Sequence, residues 1–234
     1  MKIDLGLIGG YNLDKILEKK SSFSFKTKFG KPSSKIYLGE LANKKIALIL
    51  RHGEKNKILP HEINHQANIF SFYQLGVKKL IAICAAGSLR KEIKPGDFVF
   101  CSDFIWLNPQ PLTFKKIKHL DLTEPFSENL REKLIRVAKK LKIKFHQKGV
   151  YWQTLGPRFE TKAEINLMKH FAHLVGMTSL PEIILANELG IEIATIAVVS
   201  NYACGLTKEK ISHQEVEKMM KGKQLVLKKL LQKL

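Results

Sequence analysis

Short apolar runs that end in small residues alternate with segments of helical spacing along the whole chain. That alternation restricts the possible folds more than any other feature, because it argues for α/β architecture around a central sheet. Residues 3–8 alternate in polarity and stop at Gly9-Gly10, a strand entering a tight turn. Residues 79–84 read as a buried strand running into Ala85-Ala86-Gly87-Ser88, and residues 191–200 as another. A hairpin is expected from strands 35–38 and 45–50, turning around Ala42-Asn43-Lys44. Further strands are expected at 98–102 after the Gly96-Asp97 turn, near 148–153 and at 174–177. Between them, Ile63, Ala67, Phe70 and Tyr73 give helical spacing over 62–75, stopped by Gly76. Helices are also expected over 128–141, 163–171 and 181–189, the last with an early proline and with Gly190 as its cap. A closing helix spans 212–231, where Ser212 and Glu215 match a capping box. Residues 106–126 read as a loop. No repeat or linker divides residues 1–234, so a single domain is expected: a twisted mixed β-sheet flanked by helices.

With 234 residues, 44% hydrophobic and 26% charged, the chain can bury a substantial core. Its longest apolar runs are strand-sized, far short of a membrane span. Met1-Lys2-Ile3-Asp4 leads straight into the first strand, which argues against a signal peptide. Cys84, Cys101 and Cys204 are odd in number and widely spaced, as expected of reduced thiols in the cytoplasm. The net charge of +19 comes from scattered lysines, with clusters at Lys115-Lys116-Ile117-Lys118, at 139–148 and near the C-terminus. No nucleic-acid motif accompanies them. Solvated helix faces account for most; the rest is attraction for anions, phosphate included, or non-specific polyanion binding.

Two segments carry the chemistry. Gly156-Pro157-Arg158-Phe159-Glu160-Thr161 delivers an aromatic ring and a carboxylate together from a turn. Val175-Gly176-Met177-Thr178-Ser179-Leu180-Pro181-Glu182 follows about twenty residues on and leads into an acidic helix start. The pairing suits a planar heterocycle: Phe159 stacks on it, Glu160 accepts from a ring N–H, and Met177 with Thr178 lines a neighbouring sugar or anion. Arg51-His52-Gly53 stands at a strand end, where forked guanidinium donors suit a phosphate dianion. Gly9-Gly10 and Ala85-Ala86-Gly87-Ser88 would let backbone N–H groups approach an anion, though neither is a Walker loop or dinucleotide fingerprint. His61 and His65, four apart, could share a helix face, but no further ligand stands nearby and no metal is expected.

In order and spacing these segments resemble the trimeric purine nucleoside phosphorylases and their relatives, the 5'-methylthioadenosine phosphorylases. The resemblance runs from Ile8-Gly9-Gly10 through Asn64-His65-Gln66-Ala67-Asn68-Ile69 and Lys94-Pro95-Gly96-Asp97 to Ser212-His213-Gln214-Glu215-Val216. It implies an enzyme, a pentosyltransferase that cleaves a purine N-glycosidic bond with phosphate, as a homotrimer with sites near subunit interfaces. Phosphate is the co-substrate, and no metal or organic cofactor is implied. Gly10, Arg51, His52, Ala85 and Thr178 would hold phosphate; Phe159, Glu160, Met177, Asn201 and His213 would hold base and ribose. Asn201, Glu160 and His52 would carry the catalysis.

Three of these positions address the substrate. Asn201 stands where the methylthioadenosine branch commonly has an aspartate; a neutral amide can donate to a 6-oxo group that an aspartate would repel. Glu160 matches the carboxylate of the oxopurine branch, and His213 the histidine that bonds the ribose 5'-hydroxyl there. A site built on hydrogen bonds rejects analogues that lack them. The expected reaction is therefore phosphorolysis of inosine or guanosine in purine salvage, with 5'-methylthioadenosine or 5'-methylthioinosine as alternative substrates. A non-catalytic nucleoside-binding protein is a further alternative. The chain departs from the pattern at Tyr11-Asn12, where a Ser or Thr hydroxyl usually serves phosphate. It departs again at Cys84, in place of Thr or Asn, and at Asn56, where a further histidine is often found.

Overall fold

The computed structural model describes residues 2–11, 13–109, 112–114, 119–208 and 210–234. Asn12, the cluster Lys115-Lys116-Ile117-Lys118 and part of the expected loop 106–126 lie outside the described residues. In chain order the strands are β1 (Leu5–Gly9), β2 (Glu18–Phe23), β3 (Ile36–Leu41), β4 (Lys44–Leu50), β5 (Lys79–Ser88), β6 (Phe98–Phe100), β7 (Asp103–Ile105), β8 (Phe145–His146), β9 (Val150–Gln153), β10 (Leu174–Gly176) and β11 (Glu192–Tyr202). The helices are α1 (His65–Gln74), α2 (Glu128–Lys140), α3 (Lys162–Met168), α4 (Leu180–Glu188) and α5 (His213–Gln232).

Among the described residues these strands form one eleven-stranded sheet. β1 pairs in parallel with β4 and β5, and β5 pairs in parallel with β11, so four carboxyl ends reach the same side. Side chains in a strand point alternately to opposite faces. Ile8, Ile49, Ala82 and Val199 therefore pack with Ile69 and Phe72 of α1 and with Leu180 and Ile183 of α4. Leu7, Leu48, Ile81 and Val198 face the other way, onto Leu130 and Leu134 of α2 and Met220 and Leu227 of α5. Helices thus cover both faces of the centre.

Local chemistry sets the boundaries. The β3–β4 hairpin turns on Ala42 and Asn43, both left-handed at φ 49° and 64°, as a two-residue primed turn requires. The first helix starts later than its apolar spacing predicts. Pro60–Glu62 forms a separate 3₁₀ turn, and the Asn64 side chain accepts from the Ala67 amide to open α1. β5 runs on through Ala85-Ala86-Gly87-Ser88, which the sequence suggests is a loop, because β11 and β10 pair with it there. Of residues 98–102 only Phe98–Phe100 form a strand, β6, and β7 begins beyond them at Asp103. The Ser212–Glu215 capping box and the left-handed Gly190, φ 68°, end their helices as expected. No helix among the described residues is long and apolar enough to cross a membrane.

Candidate active site

Near its carboxyl end β5 exchanges neighbours. Its first half, Leu80 to Ala82, lies between β1 and β11, whereas Gly87 and Ser88 lie between β11 and the antiparallel β10. Ligands of open α/β sheets bind outside the carboxyl ends of strands, where such a switch opens a crevice. Here the crevice is a cavity of about 300 Å³. Gly10, Arg51, His52, Ala85 and Thr178 all line it, and so do Phe159, Glu160, Met177, Asn201 and His213. Residues read separately from sequence thus share one space.

The Arg51 backbone amide donates to the Gly9 carbonyl at 2.7 Å, joining the ends of β1 and β4. Its side chain is 2% exposed and differs from the sequence expectation. The fork is already engaged within the protein: Nε and Nη2 donate to Glu182 of α4 at 2.6 and 2.7 Å, and Nη1 donates to the Ile83 carbonyl at 2.7 Å. Burial opposes both charges, and their mutual attraction overcomes it. The guanidinium is held above its usual range and the carboxyl below its own. Most of the arginine's donors and much of its charge are therefore already matched within the protein.

His52 is neutral. Burial first, then the Arg51 charge, lowers its pKa to about 4. Nδ1 lies 2.8 Å from the Ile58 carbonyl, which can only accept, so Nδ1 carries the proton and Nε2 keeps its lone pair. His61 and His65 do not share a helix: the first lies in the 3₁₀ turn, and the second opens α1, 3.7 Å from Glu182.

Around Glu160 and Asn201 the polar groups are fixed by neighbours. Thr154 Oγ1 donates to Glu160 Oε1 at 2.7 Å, which leaves Oε2 of this buried residue as an acceptor. Gly156, at φ 67°, leaves no room for a β-carbon: one would meet Met177 Sδ at 2.6 Å. The Gly-Pro turn and the Gly-Met-Thr segment are thus packed against each other, setting Met177 beside Phe159 in the cavity wall. On β11 the register against β5 shifts between Val199 and Asn201, a bulge that re-aims the side chain after it. Ser200 Oγ lies 2.6 Å from Asn201 Oδ1, and Asn201 Nδ2 donates to the Tyr202 carbonyl at 2.9 Å. Because that carbonyl can only accept, the amide cannot flip, and it keeps a second N–H on a residue that lines the cavity.

Sequence reasoning assigned no role to Glu182, Ser200, Thr154 or Lys57, the last also in the cavity wall. Glu182 lay inside a quoted motif, but its partner is 131 residues away. Cys84 is in the wall too, its thiol pushed up by burial. Tyr11 also lines it, at φ 56°, with its ring centroid 6.3 Å from that of His213. His213 opens α5 after the Ser212 cap and shares this wall with Val216 and Met220 one and two turns on.

A cavity lined by an aromatic ring, a carboxylate, a pinned amide and a glycine turn with Arg51 and His52 is of the kind that suits a small planar polar ligand beside an anion. The sequence pattern of the Phosphorylase superfamily matches residues 4–234, and the chain belongs to that family. It is 39% identical to the S-methyl-5'-thioadenosine phosphorylase of Pyrococcus abyssi over 233 residues, covering 98% of this chain and 90% of that one. It is 40% identical to the 6-oxopurine nucleoside phosphorylase of Pyrococcus furiosus over 232 residues, covering 94% and 87%. A methylthioadenosine phosphorylase from Schistosoma mansoni, solved with adenine, superposes with a TM-score of 0.93 at 28% identity, covering 99% of this chain and 90% of that one. The chain is thus an enzyme of the purine nucleoside phosphorylase kind, a pentosyltransferase.

Proposed function

We propose that the enzyme cleaves 6-oxopurine nucleosides with phosphate, releasing hypoxanthine or guanine and ribose 1-phosphate. The pinned Asn201 amide carries this reading. It offers an N–H, and cannot readily offer its oxygen, to the oxo edge or ring nitrogen of the base. Glu160 accepts from the ring N–H beside that oxo group, and Phe159 packs on the base. As the C1'–N9 bond breaks, its electron pair goes to the purine and the ribose becomes oxocarbenium-like. A phosphate oxygen then closes the new C1'–O bond. Donors aimed at the base stabilise charge that develops only in the transition state, which is where catalysis gains. Gly10, Ala85 and Thr178 hold the anion, the Nε2 lone pair of neutral His52 accepts from a protonated phosphate oxygen, and Arg51 supports the site through Glu182. Met177 lies along the ribose, and His213 addresses the 5'-hydroxyl. Phosphate is the only co-substrate, and the working form is a cytoplasmic homotrimer.

A methylthio-nucleoside substrate is the second reading. The names of several relatives favour it, and Ile211, Val216 and Met220 give the wall near His213 an apolar character. A substrate panel separates the two. Inosine, guanosine, adenosine, methylthioadenosine and methylthioinosine are assayed for base release with and without phosphate. Phosphate-dependent hypoxanthine release from inosine is expected to exceed release from methylthioadenosine. Equal release without phosphate defeats phosphorolysis, a methylthio preference defeats the substrate assignment, and purine binding without turnover at any phosphate concentration indicates a binding protein.

A further inference from the structure

A second cavity, of about 360 Å³, shares no lining residue with the active-site cavity. Its size falls within the range of small-ligand sites. The segment joining α2 to β8 lines it, with the later turns of α5 and with Gly96 and Phe98 at the start of β6. Phe98, Ile143 and Val226 give it an apolar wall, around which stand Lys142, Lys144, Lys223 and Lys229. Among the described residues no carboxylate lines it. Local structure places the lysines. On α5, Lys223, Val226 and Lys229 recur at intervals of three, so they share one side of the helix. Lys142 stands in the turn that leaves α2, left-handed at φ 52°, its amide donating to the Lys139 carbonyl at 3.1 Å. Lys223 crosses the Gly96 turn: a β-carbon on Gly96 would stand 3.0 Å from its Nζ, which lies 5.9 Å from the centroid of the Phe98 ring.

Most of this charge is unmatched. Asp97, buried next to Gly96, is satisfied by Lys144 at 3.2 Å, by His146 at 3.0 Å and by the Lys94 amide at 3.0 Å. The ion pairs of α5 are Lys221 with Glu217 and Lys228 with Glu18. Among the described residues Lys142, Lys223 and Lys229 form none. Like charges around an apolar concavity repel one another and concentrate anions there. A single phosphate or carboxylate leaves part of that charge unanswered, whereas a chain of phosphates answers it. Lysines act as point charges without a fixed fork, which suits phosphates strung along a flexible chain. The apolar wall needs a second, flat and less polar part of the same ligand. We propose that this cavity binds a nucleoside polyphosphate, its phosphates held by the lysines and its base packed on the wall of Phe98, Ile143 and Val226. The proposal does not depend on which nucleoside the active site cleaves.

The test is calorimetry with ATP and with inorganic tripolyphosphate as probes, each with and without saturating hypoxanthine. The proteins are wild type, the double variant Lys142→Gln/Lys223→Gln, and the control Lys31→Gln/Lys78→Gln, which removes the same charge from exposed lysines outside the cavity. ATP is expected to bind wild type whether or not hypoxanthine is present, and about tenfold more tightly than tripolyphosphate, which has no base to pack. The cavity variant should weaken ATP binding at least about tenfold, as charge-assisted contacts are lost. The control should change it by no more than about twofold, because distant exposed charges are screened. KM for inosine should stay within about twofold in both variants, since neither alters the active-site cavity. Each variant's melting temperature is recorded, and Lys229→Gln takes the place of a cavity variant that misfolds. Absence of ATP binding, its displacement by hypoxanthine, equal weakening in the control, or tripolyphosphate binding as tightly as ATP overturns the proposal.

Discussion

On the proposed reading, the substrate choice rests on the orientation of one amide, that of Asn201. Its Oδ1 is matched by Ser200 and one N–H by the Tyr202 carbonyl, so a replacement that changes donors to acceptors cannot adapt by rotating. Asn201→Asp sets a carboxylate against that carbonyl and against an oxo group. It is expected to lower kcat/KM for inosine by about a hundredfold or more, because a buried polar group is left opposed or unpaired. Steady-state kinetics on inosine and adenosine check this, and an unchanged inosine preference counts against the assignment. Glu160→Gln replaces the acceptor with a neutral amide and should lower kcat/KM for inosine by about 10–100-fold, the range for one charge-assisted hydrogen bond. His52 yields a prediction of pH. Its folded pKa lies below its unfolded value, so its contribution to stability is complete above about 6.5 and is lost as pH falls towards about 4. ¹⁵N-labelled histidine should therefore show one ring proton, on Nδ1, at pH 5.5. A doubly protonated ring at that pH contradicts the buried neutral state.

Among the elements, β10 and the segments leaving it hold the two motifs together. A β-carbon on Gly176 would meet Tyr151 Oη at 2.0 Å, so Gly176→Ala forces the buried tyrosine or the strand to move. Overpacking of this kind costs about 1–3 kcal/mol. A lower melting temperature with weakened substrate binding is expected, because Met177 and Thr178 follow directly; an unaltered melting temperature would falsify that packing. How far each element could be read from sequence follows its burial. β1, β4, β5 and β11 carry long apolar runs and were foreseeable, as were the capped ends of α4 and α5. β2 was not, since Glu18–Phe23 is almost wholly exposed and its residues carry no alternating apolar face. β7 and β8 have three and two residues, too few for a period to show. The extension of β5 through Ala85-Ala86-Gly87-Ser88 was hidden for another reason. Small residues look like a loop until β10 and β11 are present to pair with them.

At the scale of the whole molecule, the distant pairings are what sequence could not reveal. Every expected site residue lines the cavity, yet the direction of the Arg51 fork depends on Glu182, brought in by α4 packing beside the sheet. The net charge of +19 acts across the surface. It should produce weak, sequence-independent retention on a polyanionic resin that falls steeply with added salt, as counterion release requires. Retention that survives high salt would indicate a specific polyanion site. The central claim concerns the base, and a crystal structure of the enzyme with hypoxanthine tests it most directly. The purine should lie on the Phe159 ring, with Glu160 accepting from its ring N–H and the free Asn201 N–H directed at its oxo edge or adjoining nitrogen. A base bound elsewhere, or one with its oxo edge turned away from Asn201, would contradict the account.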